Sequence, residues 1–204
     1  MIDLSKSGDL WTLTINRPEK ANSLTKNMLC EIRDIATQAK DAKALIITGT
    51  GKVFSAGADL EEAHAGLATD GIWEQASGAI ANAPCMTIAA LNGTLAGGAF
   101  GMALACDLRI TVPNANFFYP VMKLGFLPQP SDPIRMAKLI GPARTKMILM
   151  AGQKISASQA YDYGLVDKII DATDLMQTAT DLCQTALGAN PSHIQAIKKM
   201  CSSA

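Results

Sequence analysis

The chain has 204 residues, 49% of them hydrophobic, long enough to bury a substantial core as one domain plus an appendage. Eighteen basic residues balance eighteen acidic ones and form no cluster, which excludes the electrostatic footprint of a nucleic-acid or anionic-membrane binder. Five widely spaced cysteines, an odd number lying mostly in apolar runs, exclude a disulfide framework and read as reduced core thiols of a cytoplasmic protein.

Residues 1–10 (MIDLSKSGDL) lack the basic start and apolar block of a secretory signal. Residues 10–16 (LWTLTIN) alternate apolar and polar, predicting a half-buried strand, and residues 16–25 (NRPEKANSLT) form a loop. Thr25 is then a helix cap, followed by Met28, Ile32, Ile35 and Ala39 at helical spacing. Residues 44–48 (ALIIT) are a continuous apolar run, a strand buried on both faces. The loop after it, residues 49–60 (GTGKVFSAGADL), has three glycines, which suit either close approach by a ligand or plain turns. It is no phosphate loop, because Lys52 precedes Val53 rather than Ser or Thr. Broken helices are expected over 59–83, where Gly66, Gly71 and Gly78 dilute helix propensity.

Residues 86–91 (MTIAAL) predict another buried strand, too short to cross a bilayer, and lead into residues 91–107 (LNGTLAGGAFGMALACD). Gly97 and Gly98 allow a sharp turn into a segment, 99–105, with no polar face, which predicts a helix buried all round. The first N–H groups of such a helix lack intrahelical partners and sit at its positive end, in a dry setting suited to an oxyanion; a close-packed helix without a ligand is the alternative. A dinucleotide fingerprint fails here, because Ala96 replaces its first glycine and no acid stands at Tyr119 or Pro120.

Strands are expected at 108–112 (LRITV) and 116–119. Residues 120–133, with four of the nine prolines, should be stiff and irregular rather than helical. Asp132 before Pro133 reads as the cap of a helix over 134–140. A second helix over 143–150 follows Gly141, and residues 156–159 (SASQ) are a capping box for a third that ends at Gly164. A short strand at 167–170 and amphipathic helices at 174–187 and 191–201 complete an α/β chain with a helical tail.

The strings NRPEKANSLT (16–25), FSAGADL (54–60), LNGTLAGGAFGMALACD (91–107) and GQKISASQAYDYGLVDKII (152–170) together resemble the crotonase, or enoyl-CoA hydratase/isomerase, superfamily, in its order and close to its spacing. The resemblance implies an α/β spiral of ββα units, with a core acyl-CoA-binding domain over 1–140. The C-terminal helical region, 141–204, is short and looks truncated, because the family continues past the position of Ala204 with further helices. Coenzyme A is expected as part of a thioester substrate rather than as a resident cofactor, with no metal, nucleic acid or membrane partner. A homotrimer, or a hexamer built as a dimer of trimers, is the assembly the resemblance implies. Its oxyanion hole falls on the backbone N–H groups of Ala58 and Gly98. Lys20, Ala21, Asn22 and Leu24 in one loop, and Ala56, Gly57, Asp59 and Leu60 in the other, would hold the adenine and pantetheine.

The sequence departs from the family where its hydratases carry two catalytic glutamates: the matching positions are Gly101 and Val121, neither of which accepts a proton. A third acid position used by some members falls near Gln129. Tyr119, two residues before Val121, and His64, six residues past Ala58, are the replacement candidates, set against packing and exposure as their ordinary explanations; Asp132 also lies near the loop, with helix capping the preferred explanation. Enolate-stabilising chemistry such as decarboxylation or isomerisation is therefore expected rather than hydration. The alternative is an inactive CoA-thioester-binding protein or a structural subunit of a mixed assembly.

Overall fold

A computed structural model describes residues 1–202. The chain opens with β1 (Ile2–Ser7), which pairs antiparallel with β2 (Leu10–Ile15) through a turn at Gly8. β1 was not foreseen, because its polar residues lie at an exposed sheet edge and blur the apolar alternation. Thr25 caps α1 (Lys26–Gln38) by accepting from the Met28 N–H, and α1 buries Met28, Leu29, Ile32 and Ala36. β3 (Ala44–Gly49) follows, its first five residues all buried.

From here the chain repeats one unit, two strands and a helix, each strand going to a different sheet. β3 is followed by β4 (Val53–Ser55), then α2 (Leu60–His64) and α3 (Ile72–Asn82). β5 (Met86–Leu91) is followed by β6 (Thr94–Ala96) and α4 (Phe100–Ala105), and β7 (Leu108–Thr111) by β8 (Asn116–Phe118), α5 (Val121–Leu124) and α6 (Ser131–Leu149). The first members of each pair build a six-stranded sheet in the order β1-β2-β3-β5-β7-β10, parallel beyond β2; the second members build a four-stranded sheet, β4-β6-β8-β9. This is the expected spiral of ββα units. β9 (Ile155–Ser156) and β10 (Lys168–Ile169), on either side of α7 (Ala157–Tyr163), extend the small and large sheets, and α8 (Leu175–Leu187) packs on β3, β5 and β7 before α9 (Pro191–Ser202).

Three expectations need correction. The glycine-rich loop after β3 contains a strand, β4, too short for a periodic signal. The proline-rich stretch is not wholly irregular: Pro120 precedes one helical turn, α5, which Gly125 ends in the left-handed conformation with φ +72°. Asp132 does not cap a helix. α6 begins one residue before it, at Ser131, and the Asp132 side chain turns inward with no exposure. The predicted break at Gly141 is present, its backbone non-helical at φ 78° and ψ 160°. Ser156 and Gln159 form the predicted reciprocal capping box, and Gly164 ends α7. The cysteines are free thiols, and burial pushes Cys85 up to about 11 and Cys106 up to about 12, well away from reactive thiolate. Among the described residues, no helix is long and apolar enough to cross a membrane, and no cluster of three or more His, Cys, Asp or Glu could hold a metal.

Candidate active site

The first glycine loop leaves the carboxyl end of β4. Residues 56–59 run parallel to 21–24: the Ala56 N–H donates to the Ala21 carbonyl at 3.0 Å, Leu24 N–H to Gly57 at 2.8 Å, and Asp59 N–H to Leu24 at 2.9 Å. In this parallel pattern Leu24 bonds to the residues flanking Ala58, so the Ala58 N–H faces the other side of the strand. The loop is pinned from below by Asn22, fully buried, whose amide donates to the Thr50 carbonyl at 2.9 Å and the Val53 carbonyl at 2.6 Å and accepts from the Arg17 N–H at 2.8 Å. Asp59 caps α2 and pairs with Arg17 at 2.7 Å, and this guanidinium, with the Glu62 and Glu61 N–H groups, holds the Asp59 carboxyl below its usual range against the opposing effect of burial.

The second glycine loop leaves the carboxyl end of β6, beside β4 in the small sheet. Gly97, at φ +58°, starts a 3-10 turn (Gly97–Ala99) that runs into α4, so the Gly98 N–H belongs to a first turn without intrahelical acceptors. The predicted helix is present over Phe100–Ala105, with β6 and the tight turn ahead of it, and it is buried along its whole length as expected. The two loops meet glycine to glycine. A β-carbon on Gly57 would lie 3.5 Å from the Gly98 nitrogen, and one on Gly97 would lie 3.6 Å from the Gly57 Cα. Behind Gly98 stands the Trp73 ring, 3.1 Å from where its β-carbon would be and fixed by an indole N–H bond to the Leu67 carbonyl at 2.8 Å. The tight places are Gly57, whose β-carbon would stand 3.0 Å from the Ala96 carbonyl oxygen, and Gly98 against Trp73, while Gly97 is required by its positive φ. The result brings the Ala58 and Gly98 segments side by side at the mouth of a buried helix.

One turn along α4, Gly101 faces an acid. The Asp132 Oδ1 lies 2.9 Å from the point where a Gly101 β-carbon would sit. The Tyr119 hydroxyl donates to Asp132 Oδ2 at 2.8 Å, and the Tyr119 ring stacks on Phe100 of α4 with centroids 5.4 Å apart. Oδ1 is buried and has no hydrogen-bond partner among the described residues. Burial raises the Asp132 carboxyl to about 7, the Tyr119 hydrogen bond and the Arg135 charge opposing it and Glu74 adding to it. Burial and the neighbouring carboxylate push the Tyr119 hydroxyl up, so it stays a donor. Glu74 is itself engaged with the Ser131 hydroxyl, and Arg135 with Ser77 at 3.0 Å.

Of the predicted site residues, Ala58, Gly57 and Gly98 come together, and Tyr119 comes to Asp132, which the sequence alone favours as a helix cap. Nothing in the sequence links positions 119 and 132 to 101, and an Asp-Pro pair reads as a cap. Val121 is nearly buried at the start of α5, its N–H bonded to the Tyr119 carbonyl. His64 ends the five-residue α2 with an exposed side chain. Lys20, Ala56 and Leu60 are exposed around the loops, whereas Asn22, Leu24 and Asp59 spend their side chains on structure. A mostly apolar cavity of about 890 Å³ lies elsewhere, against α8 and α9 and lined by residues that include Met86, Leu108, Ile194 and Ile197.

Two sheets wound from ββα units, with glycine loops meeting at the carboxyl ends of β4 and β6, define a crotonase-type fold. A family model described as enoyl-CoA hydratase/isomerase matches residues 5–204. Carnitinyl-CoA dehydratase of Escherichia coli K12 is 33% identical over 98% of this chain and 79% of its own length, and the Salmonella typhi enzyme of that name is equally similar. Enoyl-CoA hydratase from Bacillus anthracis superposes with a TM-score of 0.91 at 30% identity, covering 98% of this chain and 82% of that one. Pseudomonas aeruginosa DspI superposes equally well at 29% identity, over 100% and 86%. The chain belongs to the enoyl-CoA hydratase/isomerase family.

Proposed function

We propose that this chain processes an acyl-CoA thioester by stabilising its enolate on the Ala58 and Gly98 N–H groups, and that it runs decarboxylation or isomerisation rather than two-glutamate hydration. The observation that carries the reading is the glycine-on-glycine contact, which sets two half-buried backbone segments with outward or unpaired N–H groups against each other at the start of a buried helix. When a proton or carboxyl group leaves the carbon next to a thioester carbonyl, negative charge moves to the oxygen, and two fixed donors lower that barrier. Losing one such donor typically costs about 3 kcal/mol. Hydration also needs carboxylates to hold and deprotonate water, and Gly101 and Val121 supply none. Lys20, exposed at the end of a 3-10 turn (Pro18–Lys20), suits a CoA phosphate at the rim.

Assays with crotonyl-CoA and methylmalonyl-CoA test this: negligible hydration of the first, with carbon dioxide release from the second or double-bond migration in a 3-enoyl-CoA, is the expected pattern. Robust hydratase turnover overturns it. A second reading, water elimination from a β-hydroxyacyl-CoA, is favoured by the dehydratase activity named for relatives at 33% identity and opposed by the residues at 101 and 121. Formation of an enoyl-CoA from such a substrate would select it.

A further inference from the structure

We propose that the Asp132 carboxyl is the single proton carrier of this site, with Oδ1 as the transferring atom and Tyr119 as the residue that positions it. The inference rests on the enolate reading above and adds the group that moves the proton. A fully buried carboxyl with one oxygen bonded and the other facing no partner is costly to keep and structurally idle. Its idle oxygen is not aimed at random. It fills the space beside Gly101 that any side chain there would take, since even a β-carbon would stand 2.9 Å away. Gly101 lies three residues beyond Gly98, about 5 Å along the helix. A thioester whose oxygen meets the Gly98 N–H therefore brings its neighbouring carbons toward Oδ1. Tyr119 holds the opposite oxygen at 2.8 Å, and its ring is locked against Phe100, so the carboxyl cannot swing away.

The groups that act on Asp132 are Tyr119 after β8, Glu74 on α3 and Arg135 on its own helix, with Gly101 of α4 against Oδ1 and Ser77 of α3 beside Gly101 and bonded to Arg135. Glu74 raises its proton affinity and Arg135 and Tyr119 lower it. In isomerisation, Oδ1 takes a proton from the carbon next to the thioester carbonyl of a 3-enoyl-CoA. The C–H electron pair moves into the bond to the carbonyl carbon and the carbonyl pair moves onto oxygen. Asp132 then returns the proton to the far end of the double bond, the enolate pair shifts back, and the carboxylate is restored. In decarboxylation the bond to the carboxyl group breaks instead, carbon dioxide leaves, and protonated Asp132 supplies the proton to the same carbon and regains one from water. One acid serves both, and the neighbouring Glu74 carboxylate is taken up by the Ser131 N–H and hydroxyl.

The test is exchange of the α-protons of butyryl-CoA in heavy water, followed by NMR from pH 5 to 9, with thioester binding measured by calorimetry. Wild-type exchange should rise through about pH 7. Asp132→Asn should bind equally well and exchange about 100-fold more slowly or worse. Tyr119→Phe, which removes a bond favouring the charged carboxylate, should move the rise to higher pH. Independently of any variant, the one aspartate carboxyl carbon in isotope-labelled wild-type protein that titrates near pH 7 should shift when butyryl-CoA binds and not when CoA alone binds. Binding without α-exchange, an Asp132→Asn variant that exchanges like wild type, or no shift on a bound thioester overturns the assignment and leaves the enolate reading to the assays above. Failure of wild type to bind any CoA thioester removes both.

Discussion

The carbonyl oxygen of Ala96 lies 3.0 Å from where a β-carbon on Gly57 would sit, so the first glycine loop rests on the backbone of the second and a methyl group there would push that backbone back. Gly57 also has φ +93°, a conformation L residues rarely adopt. Gly57→Ala should therefore lose about 1–3 kcal/mol in urea unfolding and reduce turnover where the variant is still folded, because the neighbouring Ala58 N–H moves. Gly66→Ala is the matched control. Gly66 has φ +106° but nothing within 4 Å, so only the backbone term applies and turnover should hold. Equal activity loss in both variants would show that the inter-loop contact does not set the site.

The large sheet was legible because β2, β3, β5 and β7 carry either clean alternation or unbroken apolar runs, the signals that half-buried and fully buried strands leave in sequence. The small sheet was mostly not, since β4, β6 and β9 have two or three residues each and owe their strand character to tertiary pairing. Gly57, Ala58 and Gly98 could be picked out because glycines mark close approach and their strings resemble a family. Asp132 reads first as a helix cap near the same loop, because its burial and its contact with a residue 31 positions away leave no local pattern, and neither does the absent side chain at 101.

Asn22 was picked as a coenzyme-binding residue, yet its side chain closes a structural knot. It bonds to the Thr50 and Val53 carbonyls and the Arg17 N–H, while its own backbone sits at φ +54°, which Asn tolerates better than Ala. Asn22→Ala should lose about 2–4 kcal/mol by chemical denaturation, since it strands buried polar groups and strains the loop. Asn22→Asp should be no better, because it turns the donor toward two carbonyls into another acceptor. A variant of unchanged stability but weaker CoA-thioester binding would return Asn22 to direct ligand contact.

Arg109 links the end of α4 to the segment before β10. Nearly buried, it donates to the carbonyls of Cys106 at 2.7 Å and Leu165 at 3.0 Å, and lies 3.5 Å from the Asp167 carboxylate. Arg109→Ala should cost about 3–5 kcal/mol, because it opens a cavity and leaves the Cys106 and Leu165 carbonyls without their donor, while Asp167 keeps the backbone N–H of residue 109. Arg109→Lys should fall between, as one ammonium cannot span donors that the guanidinium fork reaches at once. Denaturation midpoints for the three proteins check the order, and a lysine variant equal to wild type would refute the fork argument.

Asp132 links pH to stability with a definite sign. Its carboxyl is raised in the fold from an ordinary 3.8 to about 7. Below the lower value both folded and unfolded chains hold the proton. Between the two, the folded chain keeps a proton that the unfolded chain has released, so stability falls as pH rises, by up to about 1.4 kcal/mol per unit. Above the upper value the fold must hold a buried carboxylate. Asp132→Asn removes this titration while still accepting the Tyr119 hydrogen bond. The variant should thus gain on wild type steadily from pH 5 to pH 7 and level off by pH 8, measured as the difference in unfolding free energy at each pH. A difference independent of pH would mean that Asp132 is not held at a raised value. The expected trend would make wild type the less stable protein near neutrality, as befits a buried carboxyl with one oxygen left unpartnered.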